Sequence, residues 1–295
     1  MAKYIMDNVW GDIVVTPLAR KFLDVPEFQR MRFMKQLGPC NFVYTCAEAS
    51  RFAHSLGVYH LARQLTMSLQ RKHPDIVKDI DVELVSIAAL YHDIGHACFS
   101  HTFDKITGSK HEERSKGILE LVVKKYDIPL TPHQVHMMQE MIEPTVDGGK
   151  WYNQIVSNGD VDVDRMDYIV RDSKATGVTV TLNDKSVLKL INRAYIEPTL
   201  NELVYPPSVS YVIRDLLDSR KYMYERVYCH PTAVKIEKLI MMAIKDELKD
   251  SLDNVERFLS ISDSILLDVY NKTKDKEKRG YIEKIFTRDL DNPTL

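Results

Sequence analysis

The chain has 295 residues, 44% of them hydrophobic, with 40 basic side chains against 42 acidic ones for a net charge of −2. That length suits one large domain or two small ones, and the balanced charge excludes a global electrostatic pull toward nucleic acid or a membrane surface. The cysteines (Cys40, Cys46, Cys98 and Cys229) form no C-x-x-C pair, no apolar run reaches the roughly 18 residues of a membrane span, and "MAKYIMDNVWGD" lacks a signal-peptide core; a reducing cytoplasmic setting is expected, with the nucleus as the alternative.

In chain order, "YIMDNVWGDIVVT" reads as extended segments around a turn at Gly11. "TPLARKFLD" and "VPEFQRMRFMKQLG" read as short helices with Pro17 and Pro26 in their first turns. "NFVYTC" reads as a short strand. "RFAHSLGVYHLARQLTMSLQRKH" repeats apolar residues at helical spacing, and "DVELVSIAALYHDIGHA" continues as a helix capped by Asp81. Further helices are predicted at 111–126, 132–143, 151–157, 164–175, 184–195, 208–229, 231–250, 254–274 and 276–285, with "NELVYPP" as a hairpin arm. Scarce glycine, 11 residues in all, agrees with a mostly helical chain.

The chemistry concentrates in "YHDIGHACFSH", where His92, Asp93, His96 and His101 crowd the end of an apolar helix. Neighbours on a helix point about 100° apart, so His92 and Asp93 share an ion only beside the helix flank, with other helices completing the set. His54 precedes them and Asp164 follows. Two imidazoles and two carboxylates suit iron, manganese or zinc and leave room for water or substrate oxygens. Burying such groups without a cation is costly. His96, four residues after His92, is expected on the same helical face. With His101, Asp104 and His111 it forms an acid–base shell, in which a carboxylate-paired histidine supplies a leaving-group proton. Asp164, Tyr168 and Asp172 form an i, i+4, i+8 stripe with Arg165 beside it, and Arg220, Tyr224 and Tyr228 repeat the spacing.

The H…HD…D pattern resembles the HD-domain metal-dependent phosphohydrolases. "DVPEFQRMRFMKQLG", "RFAHSLGVYHLA", "YHDIGHACFSHTFD", "DVDVDRMDYIVRD" and "SRKYMYERVY" resemble, in order and spacing, the sterile-alpha-motif/HD-domain deoxynucleoside triphosphate triphosphohydrolases, from about residue 3 to about 250. The resemblance implies an all-α HD-domain helical bundle with minor short β-hairpins. Residues 1–250 would form the phosphohydrolase core, and 251–295 a helical extension shorter than the family's C-terminal lobe.

It implies hydrolysis of dNTPs to deoxynucleoside and inorganic triphosphate, lowering dNTP pools. His54, His92, Asp93 and Asp164 would hold the metal, and magnesium would ride on the phosphates. Arg51, Arg165 and Arg220 would neutralise the triphosphate, Arg165 standing where the family has lysine. Gln36, Leu37, Tyr168, Asp172 and Tyr228 would meet sugar and base, Tyr228 closing the C2′ face against a 2′-hydroxyl. His111 with Asp104 is the preferred leaving-group acid pair.

A regulatory guanine-nucleotide site would match Asp24, Gln29 and Arg32, though an Asp–Arg pair there reads equally as an interhelix salt bridge. "NELVYPPSVS" has no Lys or Arg where the family grips activator phosphates. A constitutive dimer, or a simpler GTP/dGTP activator scheme than the family's tetramer, is therefore expected. No membrane or nucleic-acid partner is expected. The alternatives are another HD phosphohydrolase (a nucleotidase or phosphodiesterase) and a non-enzymatic nucleotide- or nucleic-acid-binding scaffold.

Overall fold

The computed structural model describes residues 2–143, 150–156 and 159–290. Strands β1 (Lys3–Asp7) and β2 (Gly11–Val15) pair antiparallel, Asp7 opposite Gly11. Gly11 sits at φ +74, left-handed backbone that glycine adopts without strain. Then come α1 (Pro17–Leu23) and α2 (Pro26–Gln29), each with proline in its first turn, and a 3-10 turn over Arg30–Phe33.

The centre is α3 (Arg51–Lys72) packed along α4 (Asp79–Tyr91). Ser50 caps α3 by accepting from Ala53 N. Around them run α5 (His101–Thr107), α6 (His111–Lys125), α7 (Pro132–Ile142), α8 (Asn153–Val156) and α9 (Val163–Thr176). Next are α10 (Asp184–Arg193) and the antiparallel pair β3 (Tyr195–Glu197) and β4 (Glu202–Val204). Helix α11 (Ser210–Met223) runs into a π turn over Tyr224–Tyr228. Helices α12 (Pro231–Ile244), α13 (Val255–Ser260), α14 (Ile265–Lys272) and α15 (Lys276–Thr287) follow. Phe258, Leu266 and Ile285 join the same buried core as α3 and α4. The fold is all-α with two small hairpins among the described residues.

Several local expectations are corrected. "NFVYTC" is not a strand: Gly38–Phe42 is a 3-10 turn. No strand lies beside it among the described residues to complete a ladder, and Val43 and Tyr44 pack instead on a small cluster with Met223 and Val227. Helix α4 stops at Tyr91, so His92 and His96 are not successive turns of one helix. Ser115 Oγ donates to the His92 carbonyl and accepts from Gly95 N, capturing groups that a continuing helix would use. Gly95 permits this approach, since a Cβ there would lie 2.1 Å from the His111 carbonyl. Asp81 acts from the third helical position, accepting from Lys78 N, rather than as the cap residue. Helix α5 is absent from the sequence reading; it begins after Phe99 and Ser100, both at positive φ. The 254–274 helix is broken at Ile261–Ser264, where Asp263 turns its carboxylate to Lys35 N and Phe99 N. The expected 151–157 helix is seen as Asn153–Val156, and residue 157 lies outside the described residues.

Candidate active site

His54 comes from α3, His92 and Asp93 follow the end of α4, and Asp164 opens α9. The four side chains converge. His54 Nε2 lies 3.1 Å from Asp164 Oδ1 and 3.5 Å from Asp93 Oδ2; His92 Nε2 lies 3.5 Å and 3.4 Å from the same two carboxylates. A metal bonded at about 2.1 Å spaces neighbouring ligand atoms by about 3.0 Å in an octahedron and about 3.4 Å in a tetrahedron.

The tautomers are set from behind. His54 Nδ1 donates to Asp167 Oδ2 (2.8 Å) and His92 Nδ1 to the Ala89 carbonyl (2.8 Å). Both Nε2 lone pairs therefore face the carboxylates, buried and, among the described residues, without a partner in hydrogen-bonding geometry. Acceptors facing acceptors need a cation. Burial works against a charged His54 ring, but the Asp164 and Asp167 carboxylates outweigh it and hold its pKa up, at about 10, so without a metal a proton supplies the positive charge between these acceptors. Burial likewise opposes ionised Asp164, and His54 and His92 nevertheless hold its carboxyl well below the usual range. The donor set fits a divalent metal.

The second group is adjacent. His96 and His111 stack with ring centroids 3.8 Å apart, and His101 meets His96 edge-on at 5.0 Å. Asp104 Oδ2 accepts from His111 Nδ1 at 3.1 Å, and Arg114 holds its other oxygen. His96 Nε2 lies 3.5 Å from Asp93 Oδ1, which joins the two groups. Burial and the neighbouring Arg51 push His96 well below the usual imidazole pKa, so it sits neutral.

Both groups open on a cavity of about 630 Å³, within the range of small-molecule sites. Gln36, Leu37, Arg51, Tyr168, Asp172, Arg220, Tyr224 and Tyr228 also line it. Arg51 is buried, with Nε donating to Ser100 Oγ (2.8 Å) and Nη1 to Asp93. Tyr228 donates to Asp172 Oδ2 (3.0 Å), and Tyr224 lies between Arg220 and Tyr228. Arg165 is placed differently: it folds back onto Asp162 and does not line the cavity.

Asp24, Gln29 and Arg32 lie away from the cavity. Asp24 pairs with Lys3 (3.0 Å) and Arg20 (2.8 Å), not with Arg32. Arg32 instead donates to Gln29 Oε1 (2.8 Å) and lies 3.5 Å over the Phe52 ring.

Some residues escape a reading of the sequence. Asp167 accepts from His54 Nδ1; its spacing, three residues after Asp164, is the available signal. Ser100 anchors Arg51, and Lys105 and Glu237 pair at 2.8 Å on the cavity wall.

The HD-domain family profile matches residues 51–172, the span from the Arg51–His54 turn through Asp164 to Asp172. Over this span the chain is similar to the HD domain. More particularly, it resembles the SAMHD1 deoxynucleoside triphosphate triphosphohydrolases. It is 28% identical to the Homo sapiens protein of that name over 98% of this chain and 54% of the relative, and 28% identical to the Dictyostelium discoideum SAMHD1 homolog over 98% and 59%. A putative HD domain-containing protein of Acanthamoeba polyphaga mimivirus, L394, is 32% identical over 90% of this chain and 64% of its own. The chain thus spans about half to two thirds of the length of these relatives. Among the described residues no helix is long and apolar enough to cross a membrane.

Proposed function

We propose that the protein is a metal-dependent phosphohydrolase that cleaves dNTPs to deoxynucleoside and inorganic triphosphate. What supports it most is the convergence of His54, His92, Asp93 and Asp164 at the wall of a cavity that also holds Arg51, Arg220, Asp172 and Tyr228. His54, His92, Asp93 and Asp164 would hold an iron, manganese or zinc ion, which would supply Lewis-acid charge and make water a better nucleophile.

The chain's own groups do the rest. Arg51 and Arg220 neutralise phosphate oxygens, with magnesium accompanying the triphosphate. Asp172 accepts from the sugar 3′-hydroxyl, and the Tyr228 ring closes the C2′ face. Water oxygen bonds to the α-phosphorus, the bond to O5′ breaks, O5′ takes its proton from His111, which Asp104 orients, and the proton shed by the attacking water passes to solvent, from which His111 is reprotonated. Lys105 and Arg165 are secondary charges. Assembly as a dimer or tetramer, and activation by GTP or dGTP, belong to the same reading.

Incubation with dGTP or dATP and Mn²⁺, with and without GTP, followed by anion-exchange chromatography, tests it. Intact triphosphate and deoxynucleoside are expected. Pyrophosphate, orthophosphate or no turnover with any divalent metal overturns it.

A further inference from the structure

The buried groups behind His54 form a chain that the hydrolytic chemistry does not itself require. Asp167 on α9 is fully buried, and both its oxygens are saturated. Oδ2 accepts from His54 Nδ1 and from Arg171 Nε, each at 2.8 Å; Oδ1 accepts from Trp10 Nε1 at 2.5 Å and Arg171 Nη2 at 2.9 Å. Arg171 in turn bonds Asp7, with Nη1 to Oδ2 at 2.9 Å. The other Asp7 oxygen accepts from the backbone N–H of Val9 and Trp10, both at 2.9 Å. The turn between β1 and β2 is thereby tied to the back of a metal-ligating imidazole, across 157 positions of sequence between Trp10 and Asp167.

Two features mark this as construction around His54 rather than incidental packing. Taking a carboxylate and a guanidinium out of water costs several kcal/mol each, and apolar side chains of similar size pack more cheaply. Space for it is also reserved. Gly57 lies one turn after His54 on α3, and a Cβ there would fall 1.8 Å from Asp167 Oδ1 and 2.5 Å from Arg171 Nη2.

We propose that the N-terminal hairpin is part of the metal centre: Asp7 and Trp10 lock Arg171 and Asp167, and Asp167 is the positioning residue that fixes the tautomer and direction of His54. The inference rests on the metal reading above. A ring that donates from Nδ1 must present its Nε2 lone pair forward, and a carboxylate partner also strengthens that nitrogen as a ligand. If Asp167 loses its own donors, it is free to swing, and His54 loses its aim before the helices lose their packing.

The test measures Mn²⁺ affinity of the full chain by competition with a chelating fluorescent indicator, beside thermal melting of the metal-free protein. Asp167→Asn should weaken Mn²⁺ binding by about 10- to 100-fold, the usual effect of losing an outer-shell partner. Trp10→Phe keeps an aromatic ring and removes the N–H donor; it should weaken binding severalfold, with the metal-free protein still melting cooperatively and lowered only by the loss of one buried hydrogen bond. If Asp167→Asn does not fold, Trp10→Phe decides alone. A folded Trp10→Phe protein that binds Mn²⁺ as tightly as wild type overturns the inference and leaves the metal site standing. Absence of Mn²⁺ binding by wild type overturns the metal reading itself and the inference with it.

Discussion

Asp172 is held in an unfavourable state, and its replacement by asparagine should expose that. Its side chain is buried; Oδ2 accepts from Tyr228, while Oδ1 has no partner within the described residues. Burial pushes its pKa from an ordinary 3.8 up to about 7, against the opposing pull of the Tyr228 hydroxyl. The folded carboxyl therefore holds its proton where the unfolded one has lost it. Its contribution to stability is complete below about 3.8 and is lost as pH rises through about 7. With about 1.4 kcal/mol per pH unit, the total is ~4 kcal/mol, of which roughly 2.5 kcal/mol falls between pH 5 and 8.5. An asparagine side chain at this position cannot ionise and keeps an acceptor for Tyr228. The unpaired amide N–H groups cost ~1–3 kcal/mol at every pH, so the pH dependence of the difference is the signature. Urea unfolding of both proteins from pH 5 to 8.5 should show Asp172→Asn gaining on wild type by ~2 kcal/mol or more as pH rises, while dNTP hydrolysis falls. A difference that stays flat to within ~0.5 kcal/mol would refute the reasoning, for it would mean that water reaches the carboxyl freely.

Four further outcomes are expected. His92→Ala with Asp93→Ala should abolish turnover and bound metal while far-ultraviolet circular dichroism keeps the helical signal; retained metal would count against the ligand set. Gly57→Ala should destabilise the fold by ~1–3 kcal/mol in denaturant titrations and release metal, since a methyl there meets Asp167 and Arg171. Arg220→Ala should lower kcat/KM for dNTPs by about 10- to 100-fold, and Arg165→Ala by much less, because Arg165 is already committed to Asp162; the reverse order in steady-state kinetics would place the phosphates differently. Tyr228→Ala should narrow the preference for dGTP over GTP as substrate by about tenfold, read as a ratio of kcat/KM values.

What is legible in the chain is local or chemical. Helical spacing in "RFAHSLGVYHLARQL" and the prolines at 17 and 26 mark α1 to α3, because period and caps act within a few residues. The candidate metal side chains are legible because imidazoles and carboxylates at apolar junctions call for a cation. The rest needs the fold. That α4 ends at Tyr91 depends on Ser115 arriving from α6, and the lone stretch at 41–46 turns because no strand lies beside it among the described residues. Which arginine reaches the cavity depends on what each can pair with nearby: Asp162 captures Arg165, and Arg220 stays on the wall. The support of His54 by Asp167, Trp10 and Asp7 joins positions more than a hundred residues apart. Sequence spacing determines which side chains share a helix, but only close packing decides which buried polar groups must satisfy one another.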